Sequence, residues 1–183
     1  MSQLCLYSDA AVEQPEPLLN TRDPAIIAAE LQKRGLQFQQ WQARGAPTAG
    51  ASQAEILSCY EQEIAQVQAG GGFATVDAIQ MTADHPDREA LRQKFLQEHT
   101  HAEAEVRFFV EGRGLFCLHI GSEVLQVLCE ANDWLSVPAG TRHWFDMGAE
   151  PQFTALRFFN NTEGWVAQFT GDPIANRYPR LDP

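Results

Sequence analysis

The sequence contains no run of about 18 apolar residues, which is the length that a membrane-spanning helix needs. Residues 1–7 also lack the basic segment followed by an apolar segment that is typical of a secretory signal. Basic residues are few, because 13 Lys and Arg stand against 24 Asp and Glu and give a net charge of −11. Nucleic acids and anionic membranes are bound through basic faces. We therefore expect a cytoplasmic protein that has neither of them as a partner.

Cysteine is scarce, and its spacing excludes the common metal and redox motifs. The four cysteines are far apart, without a CxxC pair, and each lies in an apolar or amphipathic run: Cys5, Cys59, Cys117 and Cys129. This pattern favours reduced structural thiols over a disulfide framework.

Internal repeats and low-complexity segments are absent as well, and what remains is typical of one folded domain. The 183 residues include 44% hydrophobic residues, with 11 Phe and 4 Trp, which suffices for a core of its own. We expect a single domain over residues 1–183, with a part rich in helices and strands at about 1–98 and a β core at about 99–170.

Three helices are predicted in the first half of the chain. Asp23 and Pro24 begin one that continues to Arg34, and 87–96 forms a short third one. The second begins at a capping box, Ser52 to Glu55, and its apolar positions recur at helical spacing up to 67. Strands are expected at 36–41 and 73–81.

After about residue 99, short apolar segments alternate with turn residues and no further helix is indicated. The predicted strands are 106–110, 115–120, 124–129, 135–137 and 153–159. Gly112 and Gly114 are interpreted as a turn between the first two. This pattern predicts a mainly β fold with flanking helices, in the form of a small closed antiparallel barrel or sandwich.

The candidate functional residues begin with His99, His101 and Glu105, whose even spacing places them on one face of an extended strand. His143 follows a Pro-Gly turn and could complete the site from a neighbouring strand. Imidazoles with one carboxylate suit Fe, Ni, Mn or Zn. The alternative interpretation is a pair of exposed strand histidines beside an ordinary surface glutamate.

Residues 99–112 resemble the first cupin motif, HxH, three residues, E, six residues and G, and 138–143 resemble the second, PxGxxH. Gln93, Asn132 and Met147 depart from the broad cupin pattern but leave the four ligand positions intact. The stretches EHTHAEAEVRFFVEGRGLFCLHI, VPAGTRHWFDMG and FTALRFFNNTEGWVAQFTGD are similar to the acireductone dioxygenases of methionine salvage. The resemblance covers nearly the whole chain and is strongest after about residue 95.

The resemblance implies a single cupin that binds one Fe(II) or Ni(II) ion per chain through His99, His101, Glu105 and His143. It implies O2 and an enediol, 1,2-dihydroxy-3-keto-5-methylthiopentene, as small-molecule substrates. The Fe(II) form would yield 4-methylthio-2-oxobutanoate and formate, whereas the Ni(II) form would yield methylthiopropanoate, formate and carbon monoxide. We expect a monomer. A cupin isomerase or a nonenzymatic small-molecule-binding cupin is the alternative.

Strand alternation points Arg107 and Arg157 into the predicted barrel, where a guanidinium could stabilise an enediolate. The resemblance assigns Arg107 a part in generating the substrate dianion. Either arginine could instead pair with a buried carboxylate of Glu98, Glu103 or Glu111.

Glu98 matches a family position linked to metal incorporation, or it supports a ligand imidazole, or it is a plain surface residue. Four aromatic residues could wall a slot for the methylthio tail or simply fill the core: Phe95, Trp144, Phe145 and Trp165.

Overall fold

The computed structural model describes residues 1–10, 15–42, 44–45, 47–48, 50–161 and 166–182. Within them the chain is mainly β, as predicted. The strands are β1 Gln3–Ser8, β2 Leu19–Thr21, β3 Gln37–Gln40, β4 Thr75–Met81, β5 His99–Thr100, β6 Glu105–Ile120, β7 Glu123–Glu130, β8 Asp133–Val137, β9 Arg142–Asp146, β10 Phe153–Phe159 and β11 Gln168–Phe169. The helices are α1 Pro24–Gln32, α2 Gln53–Cys59, α3 Glu61–Ala69, α4 Arg88–Phe95 and a 3₁₀ helix, Pro173–Arg177.

Two of the three predicted helix starts are confirmed by their caps. The Asp23 carboxylate accepts from the backbone N–H groups of Ala25 and Ile26, which otherwise lack partners in the first turn of α1. Ser52 and Glu55 form the capping box that begins α2. The prediction of one continuous helix after this capping box is wrong. Tyr60 has a non-helical backbone conformation, with φ −117° and ψ 24°, and it separates α2 from α3.

Two antiparallel layers share one long strand, β6. Its second half lies between β9 and β7 in a layer ordered β11-β5-β9-β6-β7-β1-β2. Its first half lies between β8 and β10 in a layer ordered β3-β8-β6-β10-β4. The largest core cluster lies between the layers and includes Phe109, Phe116 and Phe153. Among the described strands the hydrogen bonding stays open at β2, β3, β4 and β11, so the predicted closure of the barrel is not seen.

The turn predicted at Gly112 and Gly114 is wrong, because β6 runs continuously through both residues. The register with β10 shifts between Thr154 and Ala155, where Val110 of β6 is passed over, and two residues further on Gly112 has a φ of 67° at the end of the pairing between β6 and β10. A strand that passes from one layer into the other needs such a bend. Gly112 therefore marks a bend within a strand, at the change from one layer to the other, and not a chain reversal.

The N-terminal strand β1 was not predicted from the sequence. It pairs along its whole length with β7, and α1 buries Ile27 and Leu31 against the same core cluster. All four cysteines are free thiols, as expected. No helix in the described part of the chain has the length and apolar character that crossing a membrane requires.

Gly112→Ala should destabilise the fold strongly. A Cβ atom at this position would lie 1.8 Å from the carbonyl oxygen of Gln152, so the pairing of β6 with β10 would have to open. Gly121→Ala is the matched control, because its φ is 60° and nothing lies within 4 Å of the added atom. We expect a loss of about 1 kcal/mol in the control and about 3 kcal/mol or more at Gly112 in guanidinium unfolding. Equal losses would show that the close contact does not matter.

Candidate metal centre and cavity

Three buried histidines meet at one point between the layers. His99 in β5 is the direct pairing partner of His143 in β9, and His101 follows β5. One ring nitrogen from each lies within 4.8 Å of the other two. This limit is close to the separation of donors around a single ion, because ligands at about 2.1 Å from a metal are about 3 to 4 Å apart.

The sequence predicted that His99, His101 and Glu105 converge because they lie on one face of an extended strand, and this reason is wrong. The chain does not stay extended, since β5 ends at Thr100 and β6 begins only at Glu105. The backbone N–H of Gly140 donates to the carbonyl oxygen of His101 at 2.9 Å, which joins the turn before β9 to the first histidine pair. Strand pairing and this turn contact, and not parity along one strand, bring the two motifs together.

Glu105 completes the cluster. Its carboxylate oxygens lie 3.4 Å from His143 Nε2 and 3.7 Å from His101 Nε2, and only 1% of its side chain is exposed. These two Nε2 atoms and both Glu105 oxygens are buried without a hydrogen-bond partner among the described residues. Each unsatisfied buried group costs about 1–3 kcal/mol. A divalent cation at their centre would satisfy all four.

The other nitrogen of each ring fixes its orientation. Nδ1 of His99 lies 2.8 Å from the carbonyl oxygen of Gln97, and Nδ1 of His143 lies 2.8 Å from that of Thr141. Nδ1 of His101 lies 3.2 Å from the carbonyl oxygen of Val166. Because an Nδ1–H that donates to a carbonyl leaves a lone pair on Nε2, these contacts aim three acceptors at the centre.

Glu98 does not support a ligand imidazole, and it is not a surface residue either. Its side chain is buried, and its oxygens accept from Nδ1 of His119 at 2.7 Å and from the Thr170 hydroxyl at 2.8 Å. His119 also lies 3.2 Å from the Arg142 guanidinium. Glu98 therefore belongs to a polar cluster behind the metal centre.

The protonation states suit metal binding. Burial lowers the pKa of His99, and it lowers the pKa of His143 to about 4. Burial raises the pKa of Glu105, but the charges of Arg107 and the neighbouring imidazoles lower it by more, to about 2. His99 and His143 are thus neutral and Glu105 is ionised near pH 7.

The two inward arginines have different partners, and neither pairs with Glu98, Glu103 or Glu111. Arg107 lies 3.3 Å from the Glu105 carboxylate. Arg157 is directly opposite Arg107 in the β6–β10 register, and it donates from Nε to Asp77 at 2.7 Å and from Nη2 to the second oxygen of the same carboxylate. Asp77 gave no signal in the sequence beyond being an acidic residue within a strand.

A cavity of about 330 Å³ opens from the centre to solvent. Both arginines line it, together with Lys94. The apolar wall is mostly aromatic and comprises Phe95, Phe109, Phe116, Phe145, Phe153 and Phe169. Phe109 and Phe116 were missed, although Phe109 shares strand parity with Arg107.

Of the four predicted aromatic residues, the structure places Phe95 and Phe145 in this wall. It corrects Trp144, which packs on the opposite face of the layer against Tyr178, because His143 and Phe145 on either side point inward. Trp165 lies outside the described residues.

The chain has similar proteins along its whole length. A family model described as "ARD/ARD′ family" matches residues 3–167. Acireductone dioxygenases of Synechococcus sp. (strain RCC307) and Prochlorococcus marinus (strain MIT 9303) are 67% and 63% identical to it, over 99% of this chain and 99% and 100% of theirs. A solved structure, acireductone dioxygenase from Bacillus anthracis with cadmium ion in active center, covers 92% of this chain and 98% of its own, with 29% identity and a TM-score of 0.79.

The lowered pKa of His143 predicts an acid-sensitive metal-free protein. Between pH 6.5 and about 4 the unfolded chain binds a proton here that the folded chain does not, so the free energy of unfolding falls as the pH falls through this range. The pKa difference corresponds to about 3 kcal/mol. Urea unfolding of chelator-treated protein at pH 7 and pH 4 should show a larger loss in the wild type than in His143→Gln.

His85→Gln removes a loop histidine outside the site and should lose as much stability on acidification as the wild type does. An identical loss in the wild type and in His143→Gln would contradict the assignment.

Proposed function

The chain belongs to the ARD/ARD′ family, the acireductone dioxygenases, and we propose that His99, His101, Glu105 and His143 hold the one metal ion on which its activity depends. One observation supports this most directly: Nε2 of His101, Nε2 of His143 and both oxygens of Glu105 are buried close together with no hydrogen-bond partner among the described residues. A ring nitrogen of His99 lies within 4.8 Å of the other two imidazoles. The other residues of the centre contribute orientation and charge.

The donor set is consistent with Fe(II) or Ni(II), because imidazole and carboxylate suit both ions. When bound, either ion would supply positive charge and open coordination positions for an anionic, chelating substrate. The site cannot select between the two ions by ligand softness. Occupancy in the cell would then follow availability more than affinity.

The substrate would be acireductone, 1,2-dihydroxy-3-keto-5-methylthiopentene, together with O2. Its polar enediol end matches the histidine and arginine end of the cavity, and its methylthio tail matches the phenylalanine wall. A cavity of about 330 Å³ has the size of a small-molecule site. The aromatic wall would also keep bulk water from the reacting carbons, which strengthens the electrostatic interactions inside.

We assign Arg107 the task of stabilising the enediolate. Its guanidinium lies beside Glu105, hence at the end of the cavity where the deprotonated oxygens would be. A buried cation aimed at developing negative charge lowers the barrier. Glu105 would share its charge with the ion, whereas Asp77 is not a proposed ligand and accepts from two donors of Arg157, so we propose that Arg157 positions the substrate and contributes less net charge.

The overall reaction would be cleavage of carbon–carbon bonds by O2, in methionine salvage. We propose that the metal decides the products, with 4-methylthio-2-oxobutanoate and formate from the Fe(II) form. The Ni(II) form would give methylthiopropanoate, formate and carbon monoxide. Both product sets contain all the atoms of one substrate molecule and one O2.

Separate reloading of the metal-free protein with Fe(II) and Ni(II) tests this proposal. We expect O2 uptake with acireductone in both forms, with carbon monoxide only from the nickel form and the 2-oxo acid only from the iron form. Metal content by elemental analysis, headspace carbon monoxide and chromatography of the acids are the measurements. His101→Ala should fail to retain either metal.

The alternatives are separated by the same assay. Identical products from both metals would refute the metal-dependent outcome and leave the dioxygenase intact. A metal-loaded protein that consumes no O2 with acireductone would favour a cupin isomerase or a nonenzymatic binding cupin.

Arg107→Gln should keep the metal and lose turnover. Because Glu105 would still face the ion, we expect metal content near that of the wild type, whereas loss of the cation should lower kcat about 10²-fold or more. Arg113→Gln is the control, since Arg113 is on the same strand but is half-exposed and pairs with Asp182. Normal turnover of Arg107→Gln with metal bound would remove Arg107 from the mechanism.

A further inference from the structure

Lys94 lines the cavity but takes no part in the metal centre described above. It lies in the last turn of α4, its side chain is exposed, and it lines the cavity beside Phe95. A residue that is exposed and also lines the cavity marks the place where the cavity meets solvent. The sequence has only one other lysine, Lys33.

Lys94 differs from the two arginines of the cavity in that it has no ion-pair partner among the described residues. The other two cations that line the cavity are each matched by a carboxylate, Arg107 by Glu105 and Arg157 by Asp77. No carboxylate in the described part of the chain lies within ion-pair distance of the Lys94 ammonium, in contrast to Lys33, which pairs with Glu30 at 2.5 Å. Lys94 therefore contributes a positive charge at the cavity entrance that is not paired with a carboxylate of any described residue.

An uncompensated cation matters here because the rest of the protein carries the opposite sign. The net charge of −11 repels an anionic ligand at long range. Charges at the entrance of a cleft with low-dielectric walls act on an approaching ligand more strongly than charges elsewhere on the surface. A single lysine at this position would locally reverse the field that an anion meets.

We propose that Lys94 is a substrate-binding residue that draws the enediolate anion into the cavity. The inference rests on the proposed function, because it takes acireductone as the ligand. The ammonium acts during capture and in the bound complex near the entrance, whereas Arg107 acts at the reacting end. Loss of Lys94 should therefore affect KM and the dissociation constant far more than kcat.

A purely local role makes a different prediction. Lysine at a helix C-terminus also stabilises the helix through the backbone dipole. Lys33 also lies at a helix C-terminus, as the C-cap of α1, but it does not line the cavity. Lys33→Gln therefore removes the same charge from the same kind of helix end, and it is a matched control.

The experiment compares wild type, Lys94→Gln, Lys94→Arg and Lys33→Gln at equal metal content. At about 20 mM salt we expect Lys94→Gln to raise KM about three- to tenfold, and at about 0.5 M salt the difference should largely disappear because the charges are screened. Lys94→Arg should restore KM, and Lys33→Gln should match the wild type. Anaerobic titration with acireductone, in which no turnover occurs, should give the same pattern in the dissociation constant.

The outcomes separate the two proposals. Equal KM and equal anaerobic dissociation constants for wild type and Lys94→Gln would overturn the role of Lys94 while the dioxygenase assignment stands. A shift shared by Lys33→Gln would show an effect of net charge alone and would overturn it as well. Wild-type protein that neither binds acireductone nor consumes O2 would refute the proposed function, and this inference with it.

Discussion

The central constraint of this structure is a group of four polar atoms that are buried close to one another without hydrogen-bond partners among the described residues. Nε2 of His101, Nε2 of His143 and the two oxygens of Glu105 could relieve their desolvation by turning toward backbone groups, yet the imidazoles are prevented from doing so. Their Nδ1 atoms are already committed to carbonyl oxygens, so ring rotation would break one contact to make another. The fold holds an unfavourable arrangement that a divalent cation would make favourable.

The two-layer architecture is what makes that arrangement possible. Glu105 lies at the start of β6, where the strand pairs with β8 and β10, whereas His143 is opposite the second half of the same strand, in the other layer. The carboxylate and the imidazoles thus approach the centre from different layers. One continuous strand, bent at Gly112, fixes their separation more rigidly than two strands joined by a turn would.

Features that depend on residues close together in the sequence could be predicted from the sequence alone. Helix caps, the two metal motifs and the inward parity of Arg107 depend on residues a few positions apart, and they were predicted from the sequence. What failed depends on partners far along the chain. β1 is stabilised by pairing with β7, which lies more than 100 residues further along the chain. Gly112 has the sequence pattern of a turn, and only its pairing with β10 shows that it lies within a strand. Asp77 is identified as a partner of Arg157 only once β4 is known to pair with β10. Trp144 was misplaced for a nearer reason, since strand alternation already separates it from Phe145.

The position of β6 in both layers also has a consequence for local unfolding. Since β6 is interior to both layers and supplies Glu105, its amide protons can reach solvent only when the layers separate, so they should exchange with deuterium at the rate of global unfolding. The ligand strand and the body of the fold therefore have no independent opening. Fraying of an edge strand therefore leaves the Glu105 carboxylate in place, and an ion would enter and leave through the cavity that opens from the centre to solvent.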